Sequence, residues 1–469
     1  MDDGAYLLGK TPSQGVYKPA KPFLISEKQR GMHVQCIGYT GTGKTQSVLL
    51  PLLFQDCLAG KGLLYIDPKA SNENLHAVIN IARQTNRLGD LKIFSLSFPE
   101  LSHTYNPLWL AAKDDPLAAS ERVFSVLQTE MEEPFYRAQA EIFFRNVIRM
   151  MRGIADERRH LPFNFHDILA CLQSLQALKF CCQRSQDKEA VHIIQAQLKN
   201  LGNDALKCLS GLQANLERYS HTLLNAYQPD IVFDEALQNN QILYFQLPSV
   251  YYSQLSAAVG KMVLQHVQQA GAKRQIYRDL NQRPFSVFID ECYNFPYPNF
   301  IASLNTSRDA NIQYFLAHQS FSDLERVSTE YADGVWDNTR TKIILYLNNP
   351  VLCERISKSI GTHQTVKTTT RKSVGALGVK VNTGEQSERE VEEFYLHPNY
   401  IKNLAKSGQA YVINGQHYQG INLGRLPGAF FTDPNPFPTL PKKPAVTGLG
   451  LRSLILPNIN LTPGTGEVA

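Results

Sequence analysis

Apolar residues follow two rhythms along this chain. In the first, short unbroken runs recur: His33–Ile37, Gly62–Asp67 and Leu91–Ser97, then Gln241–Leu247, Phe285–Ile289, Asn311–Ala317, Thr341–Leu347 and Gly408–Asn414. Runs of this length without polar alternation suit strands buried on both faces. Spacers with helical periodicity, such as Ser253–Arg278, make the sheet a parallel one covered by helices. The second rhythm fills the interval from Asp115 to Leu237. There Ala118–Met131, Tyr136–Met151, Phe165–Arg184 and Glu189–Ala226 carry apolar residues at three-to-four spacing, with almost no strand signal. The pattern predicts an α/β fold interrupted by an all-α domain of roughly 120 residues, too long for a loop.

The ends carry neither rhythm. Residues 1–31, rich in Pro, Gly and Lys, read as an extended lead-in, and the Pro-rich stretch 427–469 reads as an extended tail, wrapping a neighbour or disordered. The expected organisation is therefore a discontinuous nucleotide-binding domain of residues 32–114 and 238–426, with residues 115–237 as the helical insertion.

A length of 469 residues accommodates about two or three compact units. No apolar run reaches the length of a bilayer crossing, and the start Met1-Asp-Asp-Gly has no secretory signal character. The eight cysteines form no C-x-x-C pair, and Cys181 and Cys182 are adjacent, which argues against a zinc site or a disulfide framework and for a reducing cytosol. Net charge is +5, which permits an acidic polymer as partner without requiring one. The excess is uneven: Arg355, Lys358, Lys367, Arg371, Lys372 and Lys380 occur in a stretch that contains no acid. Set among Thr, Ser, Gly and Val, they read as a mobile loop or hairpin, and a solvated loop and a nucleic-acid contact are equally good readings.

The chemistry begins at Gly38-Tyr-Thr-Gly-Thr-Gly-Lys44-Thr45, a G-x-x-x-x-G-K-[ST] loop placed between a strand and a helix. Gly38, Gly41 and Gly43 admit backbone conformations that a side chain would forbid, so successive N–H groups converge on phosphate oxygens at a helix N-terminus. Lys44 meets the β and γ phosphates and Thr45 offers its hydroxyl to Mg²⁺. The ATP-binding set is Gly38, Thr40, Gly41, Thr42, Gly43, Lys44, Thr45 and Gln46. A second motif follows the run Phe285–Ile289: Asp290 to hold the Mg²⁺ shell and Glu291 to polarise the attacking water, at the strand end where ligands gather in α/β sheets. Gln319, just past the next strand, is a candidate γ-phosphate sensor. Arg308 is either a surface ion-pair residue or a supplier of transition-state charge to a neighbouring subunit.

Taken together, His33, the loop 38–45, Pro51-Leu-Leu53, Tyr65-Ile-Asp-Pro-Lys69, Tyr105-Asn-Pro-Leu108, Phe288-Ile-Asp-Glu291 and Ala317-His-Gln-Ser320 resemble the TraG/TraD-type conjugative coupling ATPases of type IV secretion, relatives of the FtsK and HerA DNA pumps. The resemblance runs from about Leu8 to Asn414. It implies a RecA-like motor carrying an all-α domain, working as a homo-hexameric ring around single- or double-stranded DNA. It implies that Arg308 reaches across the subunit interface and that Gln319 senses γ-phosphate. It also implies that residues 115–237 contact the relaxosome, a relaxase on its DNA strand, or exported effector proteins, next to secretion-channel components at the cytoplasmic face of the bacterial inner membrane. Two departures stand out. Family members usually begin with a transmembrane domain, absent here, so a soluble form, a fragment or docking through a partner is expected; and a Pro-rich tail with Lys442 and Lys443 stands where many relatives are acidic.

Overall fold

Each unbroken apolar run forms a strand, with ends within a few residues of those expected: Val34–Ile37, Gly62–Asp67, Leu91–Ser95, Ile242–Gln246, Phe285–Ile289, Ile312–His318, Thr341–Ile344 and Gln409–Asn414. The computed structural model describes residues 5–13, 19–111, 114–127, 134–156, 159–202, 205–277, 279–297, 299–374, 380–405 and 407–451. The chain divides into two compact units, residues 1–55 with 313–426 and residues 56–312 with 427–469.

In the first unit the strand order is Pro22–Ser26, Ala5–Lys10, His417–Leu423, Gln409–Asn414, Thr341–Ile344, Val34–Ile37, Ile312–His318. Val34–Ile37 lies parallel to both its neighbours, whereas the pairings outward from Thr341–Ile344 are antiparallel. Burial explains the division. Every residue of Val34–Ile37 and Ile312–His318 is buried, while most of His417–Leu423 is exposed, as befits a one-sided antiparallel edge. What reads as a lead-in holds two strands of this sheet, Ala5–Lys10 and Pro22–Ser26. Residues 1–4 and 14–18 of it lie outside the described ones.

The second unit carries the strands Phe285–Ile289, Gly62–Asp67, Ile242–Gln246 and Leu91–Ser95, in that order and all parallel. All are buried along their whole length, so each fully buried aliphatic or aromatic side chain contributes about 1.5–3 kcal/mol. Phe94 and Phe245 of these strands pack with Tyr105, Phe233 and His266 into one aromatic cluster.

Helices Pro116–Leu127, Pro134–Arg152, Phe165–Gln173, Leu175–Arg184, Lys188–Leu201 and Ala205–Glu217 occupy the helical interval. The periodic stretch Phe165–Arg184 is two helices rather than one. Ser174 between them is extended, with φ −136° and ψ 114°, and its hydroxyl accepts the Ala177 N–H, so a local side-chain cap outcompetes helix continuation. The stretch from Glu189 onward likewise ends a helix at Gly202, whose φ of 50° with ψ −121° favours glycine over any side-chain-bearing residue. Asn106 ties the two ends of the interval together: its side-chain amide donates to Phe163 O and, at 3.1 Å, to Ala226 O. Buried Arg122 fastens the entry further through Pro107 O, Trp109 O and Gln269.

Two regions differ from expectation. The Pro-rich tail has almost no regular structure, yet residues 427–451 are bound to their own chain. Asn80 donates to Phe430 O and Thr432 O, Lys92 and His103 both to Pro441 O, and Asp167 accepts from Leu451 N–H. Phe430 and Leu451 are buried. Residues 452–469 lie outside the described ones. The basic stretch forms helix Pro350–Ile360 and one arm of a hairpin, Thr362–Val374 against Lys380–Phe394. Its charges are compensated from elsewhere: Arg355 by Glu325 and Asp333, Lys358 by Glu354, and Lys367 by Glu393 at 2.6 Å. The side chains of Arg371, Lys372 and Lys380 lie outside the described ones.

Candidate nucleotide-hydrolysis site

The phosphate loop leaves the buried strand Val34–Ile37 and turns at Gly41 and Gly43, whose φ values of 81° and 91° admit glycine far more readily than any side chain. Gly38 is required for a different reason than expected. Its constraint is space: a Cβ there would sit 2.8 Å from both Leu345 Cβ and Thr42 Oγ1. Thr42 closes the turn, donating to Tyr39 O through its hydroxyl at 2.7 Å and its N–H at 3.2 Å. Lys44 is buried, and its ammonium folds back along the loop to Gly38 O at 2.6 Å.

The helix that follows opens as a π-helix over Lys44–Leu49 and becomes α-helical at Leu50–Leu58. Leu50 N–H reaches back to Thr45 O, a wider ring than the α-helical one. Pro51 supplies the cause, since its ring would crowd the carbonyl four residues earlier and it has no N–H to give. Thr45, half-buried, stands at the second position of this helix, and Gln46 beside it accepts from the Arg425 guanidinium. Arg425 carries no motif; only the fold brings it to the loop.

Gln319 joins the loop directly. Thr40 Oγ1 donates to Gln319 Oε1 at 2.9 Å, across 279 residues of sequence. The backbone behind Gln319 is set by a buried polar chain. Thr339 donates to Gln35 Oε1, Gln35 Nε2 donates to His318 Nε2 at 2.7 Å, and His318 Nδ1 donates to Ser320 O at 2.9 Å. Burial holds His318 neutral, its pKa pushed down to about 4, which keeps Nε2 free to accept.

The acidic pair stands on the second unit. Asp290 and Glu291 follow strand Phe285–Ile289 and are both buried. Asp290 Oδ1 accepts Glu291 N–H at 3.0 Å, and Glu291 sits in the left-handed region, φ 44° and ψ 57°, a costly conformation for a side-chain-bearing residue. Between them lies a residue to which the sequence motifs assigned no role. Lys69 Nζ is 3.1 Å from Asp290 Oδ2 and 3.0 Å from Glu291 Oε1. Burial alone would lower the Lys69 pKa, but the two carboxylates overcome it and hold it above the ordinary lysine range. The signal was the string Asp67-Pro68-Lys69: buried Asp67 accepts from Lys69 N–H, Ser71 N–H, Asn74 Nδ2 and Tyr244 OH, fixing the turn that presents the lysine. Arg308, the remaining candidate, is exposed at the end of helix Phe300–Ser307 and makes no ion pair among the described residues.

The donor set suits the expected ligands. On the first unit the Thr45 hydroxyl, and on the second the Asp290 carboxylate, are each a hard oxygen donor of the kind Mg²⁺ takes, and within the second unit two carboxylates face one ammonium.

Comparison with known proteins follows the same line. Residues 284–406 match the family model described as the TraM recognition site of TraD and TraG. The type 4 coupling protein DotL of Legionella pneumophila subsp. pneumophila is 21% identical over 380 residues, covering 68% of this chain and 47% of DotL. The chain thus spans about half the length of that curated relative. Among solved structures, the plasmid coupling protein TrwB in complex with a non-hydrolysable ATP analogue aligns at TM-score 0.60 and 16% identity, over 89% of this chain and 94% of TrwB. TrwB in complex with ADP and Mg²⁺ aligns at TM-score 0.57 and 16% identity, over 91% and 95%. At that identity the likeness shows the fold: an α/β, RecA-like P-loop core with a largely parallel sheet and a helical domain. With the matched segment and the curated relative, the likeness makes this chain similar to the TraG/TraD-type coupling proteins of type IV secretion.

Proposed function

We propose that this protein is an ATP-hydrolysing coupling protein that recruits cargo and drives DNA toward a secretion channel, working as a homo-hexamer. The observation that carries the reading is the hydrogen bond from Thr40 to Gln319, which puts a polar amide on the phosphate loop itself. A site that only stored nucleotide would have no use for a group able to register the γ-phosphate. The backbone N–H groups from Gly41 to Thr45 receive the triphosphate, and Lys44 turns from Gly38 O to the β and γ oxygens. Thr45 and Asp290 are the residues that would hold Mg²⁺, which would supply charge neutralisation on those oxygens. Glu291 polarises the water whose oxygen attacks the γ-phosphorus, and the bond to the bridging oxygen breaks to release ADP. Arg308, exposed and without an ion-pair partner among the described residues, supplies charge to a neighbouring subunit's nucleotide. The partner surface includes residues 284–406, the segment that matches a TraM recognition site, alongside the helical region 115–237.

One observation favours a second reading, in which the cargo is protein and DNA is irrelevant. Arg355, Lys358 and Lys367 are each paired with carboxylates, which weakens the basic stretch as a phosphate-tracking surface. ATPase activity of the pure protein, measured with and without DNA at low salt, separates the two. Stimulation by single- or double-stranded DNA supports the DNA pump; hydrolysis indifferent to DNA, with secreted proteins retained in a pull-down, supports protein export.

A further inference from the structure

Lys69 stands between the two carboxylates of Asp290 and Glu291, and a bare ion pair is one explanation of it. The surroundings ask for more. Asp290 and Glu291 are almost wholly buried, whereas the Lys69 side chain is 44% exposed. The acids are therefore fixed and the cation is the movable member. Its backbone is rigid, because Asp67 takes four hydrogen bonds from the turn and its neighbours, but its four-carbon stem can swing the ammonium into solvent. Glu291, held in a left-handed conformation, has its carboxylate placed by that same ammonium.

We propose that Lys69 is the acidic pair's resident cation: its ammonium occupies the divalent-ion position on Asp290 and positions Glu291, so that metal enters only when triphosphate brings it. The proposal deepens the hydrolytic reading above and rests on it for the role of Asp290. A lysine so placed has two consequences. Metal alone competes poorly, because it must displace a charge already bonded to both carboxylates. With Asp290 holding Mg²⁺, the Lys69 ammonium would swing into solvent and leave Glu291 Oε1 open to a water, so Lys69 would cover the water-polarising carboxylate until substrate is present.

The test uses Mn²⁺ alone, without nucleotide, titrated into the full chain and followed by the electron paramagnetic resonance of free Mn²⁺. Lys69→Gln should bind Mn²⁺ on the order of tenfold or more tighter than the native protein. Lys69→Arg, which keeps the charge, should bind as weakly as native, and Asp290→Asn in the Lys69→Gln background should abolish the gain. Native-like weak binding by a folded Lys69→Gln protein overturns the proposal and leaves a structural ion pair. If Lys69→Gln does not fold, Lys69→Met serves in its place under the same criteria. The hydrolytic reading falls separately, by absence of ATP turnover in the native protein, which the Mn²⁺ titration does not measure.

Discussion

Lys44 brings one positive charge into a loop otherwise made of dipoles, and it is buried there against Gly38 O. Lys44→Ala should leave the fold intact by circular dichroism and lower ATP turnover by roughly 10²–10³-fold, since an electrostatic contact in a dry site is worth that much. His318 gives a pH-dependent expectation. Its folded pKa is pushed down to about 4, chiefly by burial, while an unfolded histidine titrates near 6.5. Between those values the unfolded chain takes up a proton that the folded one refuses, so native stability falls as pH drops through that window. His318→Gln removes that proton uptake. Its deficit in denaturation midpoint, measured near pH 7.5, should therefore narrow by pH 4.5. At this scale the sequence showed the residues of the loop, Asp290, Glu291 and Gln319 through their motifs. It did not show Lys69 as their partner, because the lysine and Asp290 are 221 residues apart and the Asp-Pro-Lys string, though part of the resemblance, names no partner for its lysine. Nor did it show the polar chain through Gln35, whose members lie in three separate strands and loops.

Strands and helices were legible wherever burial imposes a simple rhythm. Runs such as Gly62–Asp67 are buried on every residue, and that is why their ends could be read closely. Helix breaks were not legible where one polar residue decides: Ser174 caps the helix that begins at Leu175, and periodicity alone runs through it. The tail fails for the opposite reason. Its backbone carbonyls find donors on Asn80, Lys92 and His103, hundreds of residues earlier, so a stretch without local pattern is nonetheless fixed. Deleting residues 427–469 should therefore cost stability. Loss of buried Phe430 and Leu451 alone predicts a fall in Tm of at least about 4 °C by scanning calorimetry, and an unchanged Tm would mean that the tail is only draped over the chain. The hairpin shows the same limit in charge. Lys367 reads as one of an unopposed basic run, but its counter-charge Glu393 comes from the antiparallel arm.

At the level of the whole molecule, nothing in one chain's sequence states how many copies work together. Arg308 bears on this because it is exposed and belongs to no ion pair among the described residues. Arg308→Ala should bind nucleotide with native affinity, measured with a fluorescent ATP analogue, and lose roughly 10³-fold in turnover only under conditions where subunits assemble. Normal hydrolysis by the assembled variant would remove the trans role. The central proposal, a DNA-coupled ring ATPase, is tested most directly by the rate of ATP hydrolysis per subunit as protein concentration rises, at low salt, with and without single-stranded DNA. The expected result is a specific activity that climbs with concentration, climbs further with DNA and falls back as salt is added. A specific activity that is flat in concentration and unmoved by DNA would contradict it.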